Sequence, residues 1–278
     1  MPELPEVETL RRGLEQHLSG RTFGEVRVEV PKMLKGTVTD PSVFREGLRN
    51  VRVESVGRRG KHLIILLNSG YYLLFHMNMR GQLRIVEADA PAEKYLAAAF
   101  PLDNGRELRF HDIWRWGEMR LETAEELAAH PSLVGMGPEP LSGTWTPEQL
   151  KTGLSKRPKP AIKAVLLDQA IIAGVGNIYA DESLHRAGIH PLRPAGSLTD
   201  AEIVRLNSEV IAVLTEAVQG GGTTSDNYVS AEGKTGQFVP RVYDRGGQPC
   251  VSCGGVLTKI RVTDRGTVYC EACQSQKF

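Results

Sequence analysis

Cysteine is missing from the first 249 residues of this 278-residue chain; all four cysteines fall between positions 250 and 273. The body of the protein therefore builds its core by apolar burial, without a disulfide framework. Long hydrophobic runs are missing too. No stretch approaches the ~20 apolar residues of a membrane span, and the N-terminus is too acidic and polar for a secretory signal. The chain reads as cytosolic, with no membrane partner. A net charge is also lacking: the formal value is +1, so composition alone makes no case for nucleic acid. There are no internal repeats and no long low-complexity tract. What remains, 41% hydrophobic and 24% charged residues, is ordinary globular composition, at a length that suggests two domains.

The charge that is present is unevenly placed. "KTGLSKRPKPAIK" (151–163) holds five basic side chains and no acid, and 241–278 holds six basic against three acidic. Such stretches are usually solvated faces, but flanking other signals they suit a polyanion. The four cysteines, Cys250, Cys253, Cys270 and Cys273, follow C-x2-C-x16-C-x2-C. That is the spacing of a four-thiolate zinc site, one structural Zn2+ with no open coordination position. A pair of disulfides is the competing reading, disfavoured without a secretory signal.

Texture changes along the chain. An amphipathic helix with Val7, Leu10, Leu14 and Leu18 opens it, Pro5 in its first turn. From Thr22 to about Leu121 the pattern is strand-like: "VRVEV", "VRVESV", "HLIILLNSGYYLLFHM", "GQLRIVE", "RELRFHDI" and "GEMRLET" predict a β-sandwich. Helix-breaking residues at 130–143 mark a linker. Helical segments follow, "TPEQLKTGL", "AIKAVLLDQ", "GNIYADESLHRAG" and "TDAEIVRLNSEVIAVLTEAV", the last with a Thr199–Glu202 capping box and a stop at Gly220. A polar, glycine-containing stretch (220–240) leads to the zinc segment. The fold class is α+β. The expected domains are 1–134, a β-sandwich carrying the N-terminal helix; 135–240, helical; and 241–278, a zinc hairpin.

"AGVGNIYADE" invites a dinucleotide reading, but the third glycine is missing and a helix, not a strand, precedes it. A glycine-rich turn opening a helix still offers N–H groups to a phosphate, and Asn177 adds a side-chain donor. Lys61 heads a buried strand and gains interest only if the N-terminus folds nearby. In "HMNMRG" a continuing strand would put His76, Asn78 and Arg80 on one face, Met77 and Met79 on the other. In "HDIWRWG" Trp114 and Trp116 flank Arg115, a pattern that packs sheets but also stacks on DNA bases. The residues "MPELPE" are the most specific signal. Removal of Met1 would leave Pro2 as a secondary amine, partly neutral near pH 7, able to attack an aldehydic sugar carbon. Glu3 stands beside it to move protons, with Glu6 one turn on to orient it.

Over its whole length the chain resembles the formamidopyrimidine-DNA glycosylase and endonuclease VIII family. The resemblance rests on "PELPEVETLRRGL", "RRGK", "GPEPL", "GVGNIYADESL", "GGTT" with "GKTGQF", and "RGTVYC"; "PELPE" is similar to the formamidopyrimidine branch. It implies an N-terminal catalytic β-sandwich, a helix–two-turn–helix domain, a zinc-finger hairpin, and a monomeric bacterial repair enzyme of the cytosol or nucleoid acting on damaged double-stranded DNA. It further implies Pro2 as nucleophile and Glu3 as proton donor. Lys61 would bind phosphate and assist β-elimination, Asn177 and Lys159 would hold phosphates, and Arg265 would clamp the lesion phosphate and assist δ-elimination. "GKTGQF" would belong to a mobile loop over the extruded base.

The pattern breaks where the family fills the hole left by that base. The formamidopyrimidine branch typically reads H-L-G-M-[ST]-G and D-P-R-R-F-G; here stand "HMNMRG" and "DIWRWG". Met79 matches, but Trp114 replaces the arginine that reads the opposite cytosine, Trp116 replaces phenylalanine, and Arg115, one place on, would point to the other face of a strand. Tyr95 stands where an "EKHDH" segment has a phosphate-contacting histidine. Intact lyase residues with altered base-pair preference are the expectation. Two rivals remain. A non-catalytic damaged-DNA-binding protein on the same scaffold has no need of Pro2, Glu3 and Lys61 together, and a zinc-ribbon module of transcription or translation machinery leaves the N-terminus unexplained.

Overall fold

The computed structural model describes residues 1–91, 93–224 and 228–275. The chain divides into two compact units, residues 1–134 with 220–237, and residues 135–219 with 238–278. The glycine-rich stretch after the long helix thus packs with the first unit, where the sequence reading placed it with the helices. Residues 225–227 within it lie outside the described residues.

In the first unit, helix α1 (Leu4–Leu18) buries Val7, Leu10, Leu14 and Leu18 along one stripe. Strand β1 (Arg27–Val28), helix α2 (Pro41–Leu48), strands β2 (Val53–Arg59), β3 (His62–Leu67), β4 (Tyr72–His76), β5 (Gly81–Glu87), β6 (Leu96–Pro101), β7 (Arg106–Asp112) and β8 (Glu118–Glu122), and helix α3 (Ala124–Ala128) follow. Two antiparallel sheets form, in the orders β2-β3-β4-β8 and β1-β6-β7-β5. Phe75 of the first sheet meets Phe100 and Phe110 of the second edge to face, at ring separations of 5.7 and 5.5 Å. The sandwich is therefore as expected, with one apolar interior closed by α1 and α2.

Three details differ from the pattern reading. "VRVEV" gives only a two-residue strand, because Pro31 opens a short 3-10 turn. Helix α2 interrupts the strand-rich region; Asp40 accepts N–H bonds from Ser42 and Val43 and starts it. Strand β6, with three consecutive alanines, carries little strand propensity, yet it is held between β1 and β7.

The second unit holds α4 (Pro147–Lys156), α5 (Ile162–Leu166), α6 (Asn177–Ala187), α7 (Asp200–Gln219) and a hairpin of β9 (Leu257–Val262) and β10 (Arg265–Cys270). The expected Thr199–Glu202 capping box is present, and Thr146 caps α4 together with Gln149. Gly188 closes α6 in the left-handed conformation at φ 67°. Among the described residues, no helix is long and apolar enough to cross a membrane.

Under the first sheet His62 stacks on His76 at 4.5 Å and meets His130 edge-on at 5.6 Å. Burial presses the His62 imidazole down to about 3, and the neighbouring histidines add to the shift. Between the unfolded value of 6.5 and that depressed value, only the unfolded chain takes the proton. The stabilisation is therefore complete above pH 6.5 and is lost as pH falls through this window. Between pH 6.5 and 4.5 this one group should cost about 2 kcal/mol of stability. Urea titrations across that range should show it, and His62→Gln should flatten the dependence.

Candidate catalytic and nucleic-acid-binding site

The first turn of α1 is built from the residues that also carry the chemistry. Glu3 is the N-cap, and Glu6, three residues on, accepts its backbone N–H at 2.9 Å. Both are almost fully buried, at 3% and 1% exposure, which a cap alone does not require. The other oxygen of Glu6 accepts the N–H of Thr223 at 2.9 Å, tying the returning segment 220–237 to the same turn. Gly222 packs there so closely that a Cβ would fall 2.6 Å from the Tyr228 ring and 3.3 Å from Glu6, and its φ of 96° already demands glycine.

Pro2 is buried and Met1 half-buried. The amino group of Met1 is held below its ordinary value, chiefly by burial; Lys61 and Arg80 lower it further, while Glu3 and Glu6 oppose. Lys61, itself buried, sits in the tight turn between β2 and β3. One carboxylate pair and two cations thus surround the chain's amino terminus. Sequence reasoning named Glu3, Glu6 and Lys61 here and missed Arg80.

"HMNMRG" does not continue as a strand. β4 ends at His76, Asn78 takes φ 48°, and 78–80 form a turn, so the alternation of faces breaks. Met77 is core, while Met79 stays half-buried in the turn. His76 lies under the influence of Lys61 and Glu118, its imidazole lowered mainly by burial. "DIWRWG" is not a strand either. Beyond β7 the chain bends, Arg115 takes φ 57°, and strand alternation does not decide where its side chain points. Asp112, 1% exposed, gathers the bend by accepting N–H bonds from Trp114 (2.8 Å), Trp116 (2.9 Å) and Gly117 (2.6 Å). Trp114 and Trp116 are exposed, their rings 4.9 Å apart. Tyr95, also exposed, lies in the turn before β6 beside Lys94.

The second unit collects its candidates around the tip of the hairpin. Asn177, the first residue of α6, donates its side-chain amide to the Gly266 carbonyl at 2.9 Å, one residue from exposed Arg265. Lys163, with no exposure, donates to the same carbonyl at 3.0 Å and to Thr267 Oγ1 at 2.7 Å, and pairs with Asp181 at 2.6 Å. Asp181 in turn accepts the Val268 N–H. Burial pushes the Asp181 carboxyl up and the Lys163 ammonium opposes it. Sequence reasoning missed this pair, although a lysine inside "AIKAVLL" was its signal. Lys159 is exposed in the segment between α4 and α5, without a described contact to this network.

The four cysteine sulfurs lie within 4.8 Å of one another, Cys250–Cys273 at 3.9 Å and Cys253–Cys270 at 3.4 Å. Tetrahedral zinc with bonds near 2.3 Å sets sulfurs about 3.8 Å apart, so the set fits one ion. Among the described residues, Val242, Leu257 and Val268 alone join the buried cysteines in the hairpin's core. Glu182 anchors the entry to it, accepting the N–H groups of Arg241, Val242 and Tyr243 at 2.8, 2.8 and 2.9 Å.

Three family models match in chain order: the formamidopyrimidine-DNA glycosylase N-terminal domain over residues 1–119, the H2TH domain of the same enzyme over 136–228, and the zinc finger found in FPG and IleRS over 247–276. The chain belongs to the formamidopyrimidine-DNA glycosylase family. It is 41% identical to the formamidopyrimidine-DNA glycosylase of Desulforamulus reducens over the full length of both. It is 42% identical to that of Geobacillus kaustophilus, over 99% of this chain and all of the relative. Among solved structures, a complex of the Lactococcus lactis Fpg with DNA containing an abasic site matches at a TM-score of 0.90 and 32% identity, covering 99% of this chain and all of the other. A complex of the L. lactis enzyme with DNA carrying an oxidised pyrimidine matches at 0.89, with the same identity and coverage. The structural zinc expected from the cysteine spacing is thus a property of the family to which the chain belongs.

Removing one partner of the Lys163–Asp181 pair should strand the other charge in the interior. Lys163→Met should cost about 3–5 kcal/mol in denaturant titration, and Lys163→Met with Asp181→Leu should recover much of that loss. Stripping the metal with a strong chelator should abolish amide-exchange protection across residues 247–275, because the hairpin's apolar core is too small to hold it.

Proposed function

We propose that this protein is a bifunctional DNA glycosylase and abasic-site lyase of base excision repair, acting on oxidised or ring-opened bases in duplex DNA as a cytosolic monomer. The observation that carries the reading is the amino terminus, buried among Glu3, Glu6, Lys61 and Arg80. With Met1 removed, the Pro2 nitrogen takes the place of that amine, and the same burial favours its neutral, nucleophilic form.

The steps follow from the residues. The Pro2 lone pair attacks C1′ of an extruded nucleotide and the glycosidic bond breaks, the base leaving with its electron pair and a proton. Glu3 donates a proton to the sugar ring oxygen as the ring opens, leaving an iminium ion between Pro2 and C1′. That cation acidifies C2′; loss of its proton expels the 3′ phosphate (β-elimination), and a second proton loss expels the 5′ phosphate (δ-elimination). Hydrolysis of the iminium frees the enzyme. Glu6 orients Glu3 through its backbone and fixes the segment behind it. Lys61 and His76 bind phosphate in the first unit. Arg265, Asn177, at a helix N-terminus, and Lys159 do so in the second. Met79, Trp114, Arg115 and Trp116 enter the base stack, and Tyr95 contacts the backbone.

Tryptophan at 114 offers stacking area and a single N–H donor, where arginine offers a bidentate fork. Preference among opposite bases is therefore weak, and the lesion range extends from ring-opened purines to oxidised pyrimidines and abasic sites. Borohydride trapping on duplexes carrying each lesion opposite all four bases tests the whole scheme. A covalent adduct is expected, lost in Pro2→Gly, with rates across the four partners within about threefold, whereas a bidentate reader discriminates by ~1–3 kcal/mol. Strong selectivity for cytosine would defeat the relaxed-preference part. Binding with no adduct even at an abasic site, Met1 confirmed absent, would make the protein a damage-binding scaffold.

A further inference from the structure

The turn at 78–80 and the bend at 113–116 depart from the family pattern at Asn78, Arg80, Ile113, Trp114 and Trp116, and four of these residues touch in pairs. The Arg80 guanidinium lies over the Trp114 ring, 5.3 Å from its centre. Asn78 donates its side-chain amide to the Trp116 carbonyl at 2.5 Å. The two indoles lie 4.9 Å apart at 58°. Ile113 (50%), Trp114 (41%) and Trp116 (59%) are exposed.

This surface is held in place by the chain beneath it. Three N–H bonds to the buried Asp112 carboxylate fix the bend. Gly117 permits the close approach: a Cβ there would fall 2.6 Å from the Phe110 ring and 3.0 Å from Asp112. The rings therefore need little ordering when something stacks on them. The acid of the bend is turned inward, while Arg115 is exposed and Arg80 lies against the Trp114 ring. Two exposed indoles, one of them against the Arg80 guanidinium, suit nucleobases on a phosphate strand. Arg80 also acts electrostatically on the amino terminus, so the surface adjoins the cluster of Glu3 and Lys61.

Stacking of this kind is indifferent to base identity, because every base has a π face. It also makes no demand on a partner strand. We propose that Trp114, Trp116 and Arg80 form a platform for unpaired bases, through which this protein excises lesions from single-stranded and bubble DNA as well as from duplexes. The proposal rests on the glycosylase–lyase reading and extends it to DNA with no opposite base.

The test is single-turnover incision of one oxidised pyrimidine placed in a single strand, in a bubble, and in duplexes opposite each of the four bases. Single-strand and bubble rates should fall within about tenfold of the duplex rates. Trp114→Ala with Trp116→Ala, and separately Arg80→Ala, should lower the single-strand and bubble rates at least tenfold more than the duplex rate opposite cytosine. Trp114→Phe should restore part of the loss. Zinc content and circular dichroism report folding of each variant. A single strand cut more than a hundredfold more slowly than every duplex would overturn the proposal, as would variants that slow all substrates equally. Duplex cutting that is indifferent to the partner, with an inert single strand, would sink this inference and leave the relaxed-preference reading standing. Should no substrate be cut, the enzyme reading fails, and fluorescence still judges the platform. Of the three tryptophans only Trp145 is buried, so quenching by a single-stranded oligonucleotide that disappears in the double variant supports it, and unchanged emission refutes it.

Discussion

Glu6 lies almost without solvent contact at the first turn of α1, and a buried carboxylate costs several kcal/mol unless its lone pairs are met. Its two oxygens are met by two backbone N–H groups far apart in sequence, those of Glu3 and Thr223. The residue therefore fixes two things together. It holds the turn that carries Glu3, and it draws residues 220–237 back onto the first unit. Gly222 and Tyr228 pack around that junction so tightly that side chains larger than hydrogen do not fit. The chemistry proposed for the amino terminus depends on this arrangement, because an amine is kept unprotonated by burial only while its surroundings stay in place.

The second unit uses the same device with different atoms. Asp181 and Glu182 are adjacent on α6 and both buried, yet they face different partners. Asp181 takes Lys163 and the N–H of Val268 on the hairpin; Glu182 takes three consecutive N–H groups ahead of it. Helix α6 thereby becomes the ruler against which the hairpin is set. The Gly266 carbonyl, next to Arg265, receives both Asn177 and Lys163. Zinc closes a segment whose apolar residues are too few to hold it, while these carboxylates decide where it sits.

Much of this was legible in the sequence, and for identifiable reasons. The apolar stripe of α1, the C-x2-C pairs and the capping box at Thr199 are local, each needing only a few neighbouring residues to be recognised. Helix α2 was missed, because the surrounding strands obscured its local signal at Asp40 and Pro41. Strand β6 was not, since three alanines acquire strand geometry only from the neighbours on either side. The alternation assumed for "HMNMRG" and "DIWRWG" failed because Asn78 and Arg115 take positive φ, which turns a strand into a bend and places two tryptophans side by side.

By itself the sequence determined the kinds of element, the zinc ligands and the identity of the reactive candidates, because periodicity, spacing and side-chain chemistry are properties of short segments. Only the tertiary structure decided that Glu6 spans 217 residues to reach Thr223, that Lys163 is buried against Asp181, and that Arg80 lies over Trp114. Those pairings form where burial removes water and each charge or ring must find its partner within the fold. Which partner that is depends on how the chain returns, and no local pattern records it.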